Sequence, residues 1–205
     1  MSGITFYFPS ASDWAIMRSL ATDEQLTIRR QKELPTAEAP GSEVYIDGFN
    51  IIITLEVLMC DSILFSCMDG TIRDLAALRG TYRIIPETHD AIRMLLDVLQ
   101  NMEIMRACIL LDEPVSNSGR LKSLIADVGE AYPFDLDIQI MKDVDRALYD
   151  RENVITTDSV IHLDELSDDV PLLFTQPVVP LSTHGSTSCD CFIISQSASS
   201  LYSKF

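Results

Sequence analysis

Apolar residues fall into short blocks separated by polar, helix-spaced stretches. VYID, residues 44–47, reads as a buried strand, and IIITLEVLMCDSILF predicts a helix over 51–65. DLAALRGTYR, residues 74–83, predicts a second helical stretch. HDAIRMLLDVLQNM carries Ile92, Leu95, Leu96 and Leu99 at the i, i+3, i+4, i+7 spacing of an amphipathic helix. A strand follows over EIMRACILLD, a helix over SGRLKSLIADVG, a strand over DLDIQIM, a short helix over DVDRALYD and a strand over NVITTD. Strands separated by helices pair in parallel through right-handed crossovers. The expected fold class is α/β, a three-layer α/β/α sandwich around a central, mainly parallel sheet.

The flanks are less regular. Residues 11–34 hold intermittent apolar positions (Trp14, Ile16, Met17, Leu20, Leu26, Ile28) and a small basic group, which suggests a helical packing arm. PTAEAPGS, residues 35–42, reads as a linker. The arm and linker thus occupy 1–42 and the organised domain 43–169. Over 170–205, VPLLFTQPVVPL offers one edge strand, kept from the sheet centre by Pro177 and Pro180, ahead of a Ser/Thr-rich tail.

Composition narrows the function classes. The 205 residues are 47% hydrophobic and 22% charged, with a formal net charge of -16. That excess opposes indiscriminate attraction to nucleic acid. No apolar run reaches membrane-spanning length, and the N-terminal stretch lacks the regions of a secretory leader, so the expectation is a cytoplasmic protein without membrane association. The five cysteines lack paired CxxC spacing and read as reduced thiols, with Cys189, Cys191 and His184 as the alternative of a soft-metal site.

The acids carry the candidate chemistry. Asp47, Asp112 and Asp158 each end a predicted strand, and the ends of parallel strands share the sheet edge where ligands bind in this architecture. A fourth acid, Asp143 or Asp145, opens the helix after DLDIQIM. Crowded carboxylates repel one another, and a hard divalent cation, Mg2+ or Mn2+, relieves the conflict. The plainer alternative makes each Asp the N-cap of the next helix, although SNS at 116–118 is better placed than Asp112 to cap the helix near Gly119. Arg73, Arg79 and Arg83, and the hydroxyl-rich Ser116, Asn117 and Ser118 ahead of Arg120 and Lys122, suit phosphate binding. A solvated helix face with a capping loop is the alternative there. MDGT at 68–71 lacks the nucleophilic Asp of phosphatases, with Cys67 in its place, and DVD at 143–145 lacks the companion Glu of a Toprim site. His89 and His162 read as surface residues rather than bases.

VYIDGFNIIITLE, ILLDEPVSNSGRLKSLI, KDVDRAL and VITTDSVI resemble, in order and spacing, the PIN-like and NYN-type metal-dependent nucleases. DGTIRDLAALRGTYR and LLDEPVSNSGRLK bring the chain closer to a prokaryotic, mainly archaeal, PIN-like family catalogued as a domain of unknown function. The likeness spans about residues 43–165. It implies a PIN-like, Rossmann-like fold in which Asp47 is the central metal ligand and Asn50 orients water or a phosphate oxygen. Asp112 and Asp158 would be ligands or bases, and Asp145 the helix-borne acid with Asp143 as the fallback.

The sequence therefore leads to a Mg2+- or Mn2+-dependent phosphodiesterase acting on RNA. Asp47, Asp112, Asp145 and Asp158 would hold the cation and do the chemistry, with Asn50, Arg73, Ser116, Asn117, Ser118, Arg120 and Lys122 at the substrate. The reading from another class is a non-catalytic binding or scaffold protein holding a structural cation or a small phosphorylated ligand. A homodimer is left open.

Overall fold

A computed structural model describes residues 20–32, 36–68, 71–74, 81–149 and 151–157. The arm before residue 20, the expected edge strand and tail, Asp158 and the CxC pair lie outside them. In chain order the elements are α1 (Asp23–Lys32), a 3-10 turn (Thr36–Glu38), β1 (Glu43–Asp47), α2 (Gly48–Met59), β2 (Leu64–Ser66), β3 (Ile72–Asp74), α3 (Thr88–Asn101), β4 (Arg106–Asp112), α4 (Ser118–Gly129), β5 (Asp135–Met141), α5 (Val144–Leu148) and β6 (Val154–Ile155).

Four strands form one parallel sheet in the order β5-β4-β1-β6, and β2 pairs with β3 as a separate antiparallel hairpin. Strand alternation sends side chains to both faces. Val44, Ile46, Ile109 and Leu111 pack under α2, α3 and α4 in the main core. Tyr45, Cys108, Leu110 and Val154 face the other way, onto Val144 and Leu148 of α5. The fold is thus α/β with helices on both faces of a parallel sheet, compatible with a three-layer sandwich. Ile92, Leu95, Leu96 and Leu99 of α3 are all buried, as their spacing requires.

Three local expectations are corrected. The helix predicted through Phe65 stops at Met59. Asp61 adopts φ +50°, its N–H reaches the Leu58 carbonyl at 3.1 Å, and the Ser62 N–H reaches the Val57 carbonyl at 3.1 Å. This is a Schellman closure made without glycine, after which Leu64–Ser66 enters the hairpin. The linker is not free: Ala39 is fully buried, Gly41 N donates to the Glu103 carbonyl at 2.8 Å, and Met105 N donates to the Ser42 carbonyl at 2.9 Å. Gly41 sits at φ +76°, a conformation that favours glycine. Of the helix expected over 74–83, residues 75–80 lie outside the described residues and 81–83 are irregular.

That irregular stretch is held by side chains. Ser116 Oγ accepts from Tyr82 N at 2.8 Å and donates to the Tyr82 carbonyl at 2.9 Å, and Asn117 Nδ2 donates to the same carbonyl at 2.7 Å. The Tyr82 hydroxyl then donates at 2.6 Å to Glu56, a carboxyl buried within α2 that also accepts from Thr88. Burial raises the Glu56 pKa, the hydrogen bonds from Thr88 and Tyr82 oppose the rise, and the nearby Glu87 charge adds to it. The Tyr82 hydroxyl is itself pushed well above the ordinary tyrosine range, by burial and by donating to Glu56.

Two outcomes follow from this packing. The folded Glu56 carboxyl binds its proton more tightly than the unfolded one, so its contribution is most favourable below the ordinary value of 4.5 and is lost as pH rises through the raised value. Glu56→Gln keeps an oxygen to accept both hydroxyls and should flatten the decline of stability above pH 4.5, read by urea unfolding across pH. A parallel decline in parent and variant would remove Glu56 as its cause. A Cβ on Gly48 would lie 2.7 Å from Leu111 Cδ2 and 2.8 Å from both Ile109 Cγ2 and the Leu110 carbonyl oxygen, so α2 begins against β4 only because the residue is glycine. Gly48→Ala should cost about 1–3 kcal/mol in the same unfolding measurement.

Candidate functional site

The chain runs from β1 outward to β4 and β5, then returns to place β6 on the opposite side of β1. The direction of winding therefore reverses between β1 and β6. In open parallel sheets, the crevice at the carboxyl ends of the strands flanking such a reversal is where ligands bind. Asp47 ends β1 at this crevice, and Thr156 and Thr157 follow β6 beside it.

Asp47 is only 2% exposed. It is the N-cap of α2, with Oδ1 accepting from Asn50 N at 3.4 Å. Oδ2 accepts from the Asn50 side-chain amide and from Thr156 Oγ1, the latter at 3.2 Å. These donors join the end of the central strand, the first turn of α2 and the end of β6. They also give the buried carboxylate partners within the protein, as a buried charge requires. Gly48, which follows Asp47, admits the close approach of α2 to β4.

One helical turn along, Thr54 Oγ1 donates to the Asn50 carbonyl at 2.8 Å and lies 3.4 Å from both Asp74 Oδ2 and Thr157 Oγ1. Asp74 ends β3, where it pairs with Leu64 of the hairpin. Its neighbour Arg73 directs Nε to Thr71 Oγ1 at 3.0 Å. A mixed set of carboxylate, amide and hydroxyl groups thus lines the β1/β6 side of the edge.

The β4/β5 side holds the other expected acids. Asp47 is level with Leu110, so Asp112 extends two residues further along the neighbouring strand and points to the same face. Strand geometry puts the two Cα atoms about 8 Å apart. Asp112 Oδ1 accepts from Val144 N at 3.2 Å, and Asp143, the N-cap of α5, accepts from Arg146 N at 2.9 Å. Together they satisfy two amides of the first turn of α5. Asp145, the expected helix-borne acid, is exposed in that turn. Among the described residues no three His, Cys, Asp or Glu side chains come together to hold one metal ion. Asp47, Asp112 and Asp145 therefore share an edge without forming such a group, and Asp158 lies outside the described residues.

The expected phosphate cradle is arranged differently from its sequence reading. Ser116 and Asn117 spend their side chains on Tyr82, Ser118 is buried, and Asn117 caps α4 at φ +65° without a side-chain hydrogen bond to the helix's own amides. The cap predicted over 116–118 is thus made by backbone conformation alone. Arg120 and Lys122 are exposed in the first two turns of α4, which starts from the same sheet edge as the acids. Lys142 and Arg146 are exposed beside α5, and Arg146 lies over the Tyr149 ring at 5.3 Å. Of the thiols, Cys108 is buried in the α5-side cluster, and desolvation with the neighbouring Asp137 charge raises its pKa to about 11. That thiol is protonated at neutral pH.

Four site residues were absent from the sequence reading. Thr54 stands at i+4 from Asn50 on an otherwise apolar helix, and Thr156 and Thr157 are the polar pair that interrupts VITTD. Both signals were available in the sequence. Asp74 carried none, because only the antiparallel hairpin brings it back to α2.

No described helix is long and apolar enough to cross a membrane. No solved structure matches the chain. A relative from Methanocaldococcus jannaschii, named Uncharacterized protein MJ0935, is 34% identical over 146 residues, 71% of this chain and 70% of the relative. The model of a family described as Domain of unknown function (DUF5616) matches residues 36–173. That match takes in every described strand, the acids at their ends and the Tyr82 connection, and the chain belongs to this family.

Proposed function

We propose that the protein is a Mg2+- or Mn2+-dependent phosphodiesterase of PIN or NYN type acting on RNA, with its site at the β1/β6 crevice. The observation that carries this reading is the buried Asp47, held at the winding reversal with an amide and a hydroxyl on it and a second strand-end acid, Asp112, beside it.

The donor chemistry fits the cation. All the polar groups at the crevice are hard oxygens or amides, and Mg2+ binds through one or two carboxylates while keeping several waters. A set without three described acids in reach of one ion is consistent with that habit. Asp47 and Asp112 would hold the cation, joined in this reading by Asp158 and, from the exposed first turn of α5, Asp145. Asn50 fixes the Asp47 carboxylate and presents its amide to a phosphate oxygen. Bound there, the cation supplies charge neutralisation at a phosphate and a water of lowered pKa. Arg73, Arg120 and Lys122, with Lys142 and Arg146, supply positive charge for the substrate backbone around the acids.

A second reading has its own observation. Because Asp47 already accepts hydrogen bonds from Asn50 and Thr156, the fold does not need a cation to tolerate it. The same crevice then serves a non-catalytic protein that binds a small phosphorylated ligand.

The two readings part on metal. Binding to the folded state alone raises the melting midpoint with the logarithm of metal concentration above Kd. The parent midpoint should climb through a Mn2+ series, and Asp47→Asn should lose that climb together with more than about 100-fold of any RNA-cleaving rate. A midpoint indifferent to Mn2+ would leave the scaffold reading.

Phosphate contacts are tested by salt. If Arg120 and Lys122 hold a single-stranded backbone, replacing both by Ala should lower the log–log salt slope of RNA binding by about 0.7 for each. Equal slopes in parent and double variant would return both side chains to a solvated helix face.

A further inference from the structure

Away from the sheet edge, a cavity of about 450 Å3 lies between α2 and the connection over 81–85. Ile53, Glu56 and Val57 of α2 and its C-cap Cys60 line one side, at the i, i+3, i+4, i+7 spacing that puts them on one face of the helix. Tyr82 and Ile85 line it from the connection. Mostly apolar walls around a few polar groups, in a space of this size, are the form of a small-molecule site.

The Glu56 carboxyl is built into that wall. Glu56 is only 5% exposed, and both of its hydrogen-bond donors, the Tyr82 and Thr88 hydroxyls, go to Oε1. Oε2 accepts no hydrogen bond among the described residues, yet it is not sealed from solvent. The cavity is therefore where Oε2 is reached. An ionised carboxylate accepts at both oxygens, and a buried acceptor left empty costs free energy that a donor in the cavity would recover. Ser116 and Asn117 hold Tyr82 in turn, so the carboxyl keeps its orientation whether or not the cavity is filled.

Charges around the cavity select the donor. Burial and the Glu87 charge raise the Glu56 pKa against its two hydrogen bonds. Loss of solvation first, then the Glu87, Glu56 and Asp61 charges, raise that of the Cys60 thiol. Arg83, also in the lining, is exposed and is not among the charges acting on either group. The field at Oε2 thus favours a cationic donor over a neutral one and disfavours an anion. The apolar walls beside it favour a carbon skeleton on that donor.

We propose that this cavity binds a small organic amine in its ammonium form, with the charged nitrogen on Glu56 Oε2 and the apolar body against Ile53, Val57 and Ile85. The site is separate from the β1/β6 crevice and stands whether or not the metal-dependent reading does.

Tryptamine is the probe, with tryptophol as its neutral counterpart and indolepropionate as its anionic one, each titrated into the full chain by calorimetry. The parent should bind tryptamine about 10-fold or more tighter than tryptophol, with indolepropionate weakest, because a charge-assisted hydrogen bond exceeds a neutral one by about that factor. Glu56→Gln keeps the shape of the side chain and should bring tryptamine down to the affinity of tryptophol. Asp127→Asn removes one exposed negative charge near the end of α4 and should match the parent, which separates binding at Oε2 from attraction to the net charge of -16. Val57→Phe adds a ring to the apolar wall and should weaken tryptamine and tryptophol alike. It decides the matter should Glu56→Gln fail to fold by circular dichroism. A parent that binds tryptamine no tighter than tryptophol overturns the proposal, as does a folded Glu56→Gln that keeps the parent's preference. Equal losses in Glu56→Gln and Asp127→Asn, or parent-like tryptamine binding in Val57→Phe, overturn it as well.

Discussion

A carboxylate buried at the tip of the central strand sets the terms for everything around it. Asp47 must keep its partners, because an ionised acid without hydrogen bonds in such a place costs several kcal/mol or titrates away. Its partners include three donors from two places: Asn50 N and the Asn50 side chain in the first turn of α2, and Thr156 at the end of β6. One side chain thereby fixes where α2 starts, and fixes the short β6 to the sheet where only Tyr45–Val154 and Ile46–Ile155 pair. The glycine that follows lets the helix begin in contact with β4, so the cap and the close packing are parts of one construction.

A second buried carboxylate does similar work within α2. Glu56 holds Tyr82 and Thr88, and Tyr82 is held again through its backbone by Ser116 and Asn117. The connection into α3 is thus tied to α2 on one side and to the loop before α4 on the other. Phe49, from the first turn of α2, meets the Tyr82 ring edge-on at 5.2 Å. The face of α2 that packs inward joins the crevice to this knot. The two buried acids differ in surroundings: Asp47 stands at a winding reversal among hydroxyls and an amide, whereas Glu56 accepts from the Tyr82 and Thr88 hydroxyls.

Much of the parallel sheet was legible because its signals are local. The apolar blocks of β1, β4 and β5, the helical spacing of α3 and the strand-ending acids all follow from periods of 2 and 3.6 that a chain displays without its partners. The bounds of α4 and β5 coincide with SGRLKSLIADVG and DLDIQIM. Legibility failed where a distant group decided the outcome. α2 was expected to run through Phe65, and it ends instead at a turn whose left-handed residue is Asp61 rather than a glycine. Ser116 and Asn117 looked like a helix cap or a phosphate cradle, since nothing in the sequence shows that Tyr82, 34 residues earlier along the chain, takes their hydrogen bonds. The position of Asp74 was invisible for the same reason, since only the hairpin brings it to Thr54.

The net charge of -16 at first opposes any partner that is a polyanion. Screening limits the force of that objection. At physiological ionic strength, charges further apart than about 8 Å largely cease to feel one another. An incoming phosphate is therefore governed by the side chains around the crevice rather than by the total. Arg120 and Lys122 at the start of α4, and Lys142 and Arg146 around the start of α5, belong to that neighbourhood, because helices after parallel strands start from the edge where the strands end. Acids at the remote edge, such as Asp127 near the end of α4, add to the total while lying far from the site. The same geometry that gathers the carboxylates also gathers basic side chains, so an acidic protein retains an edge of locally mixed charge.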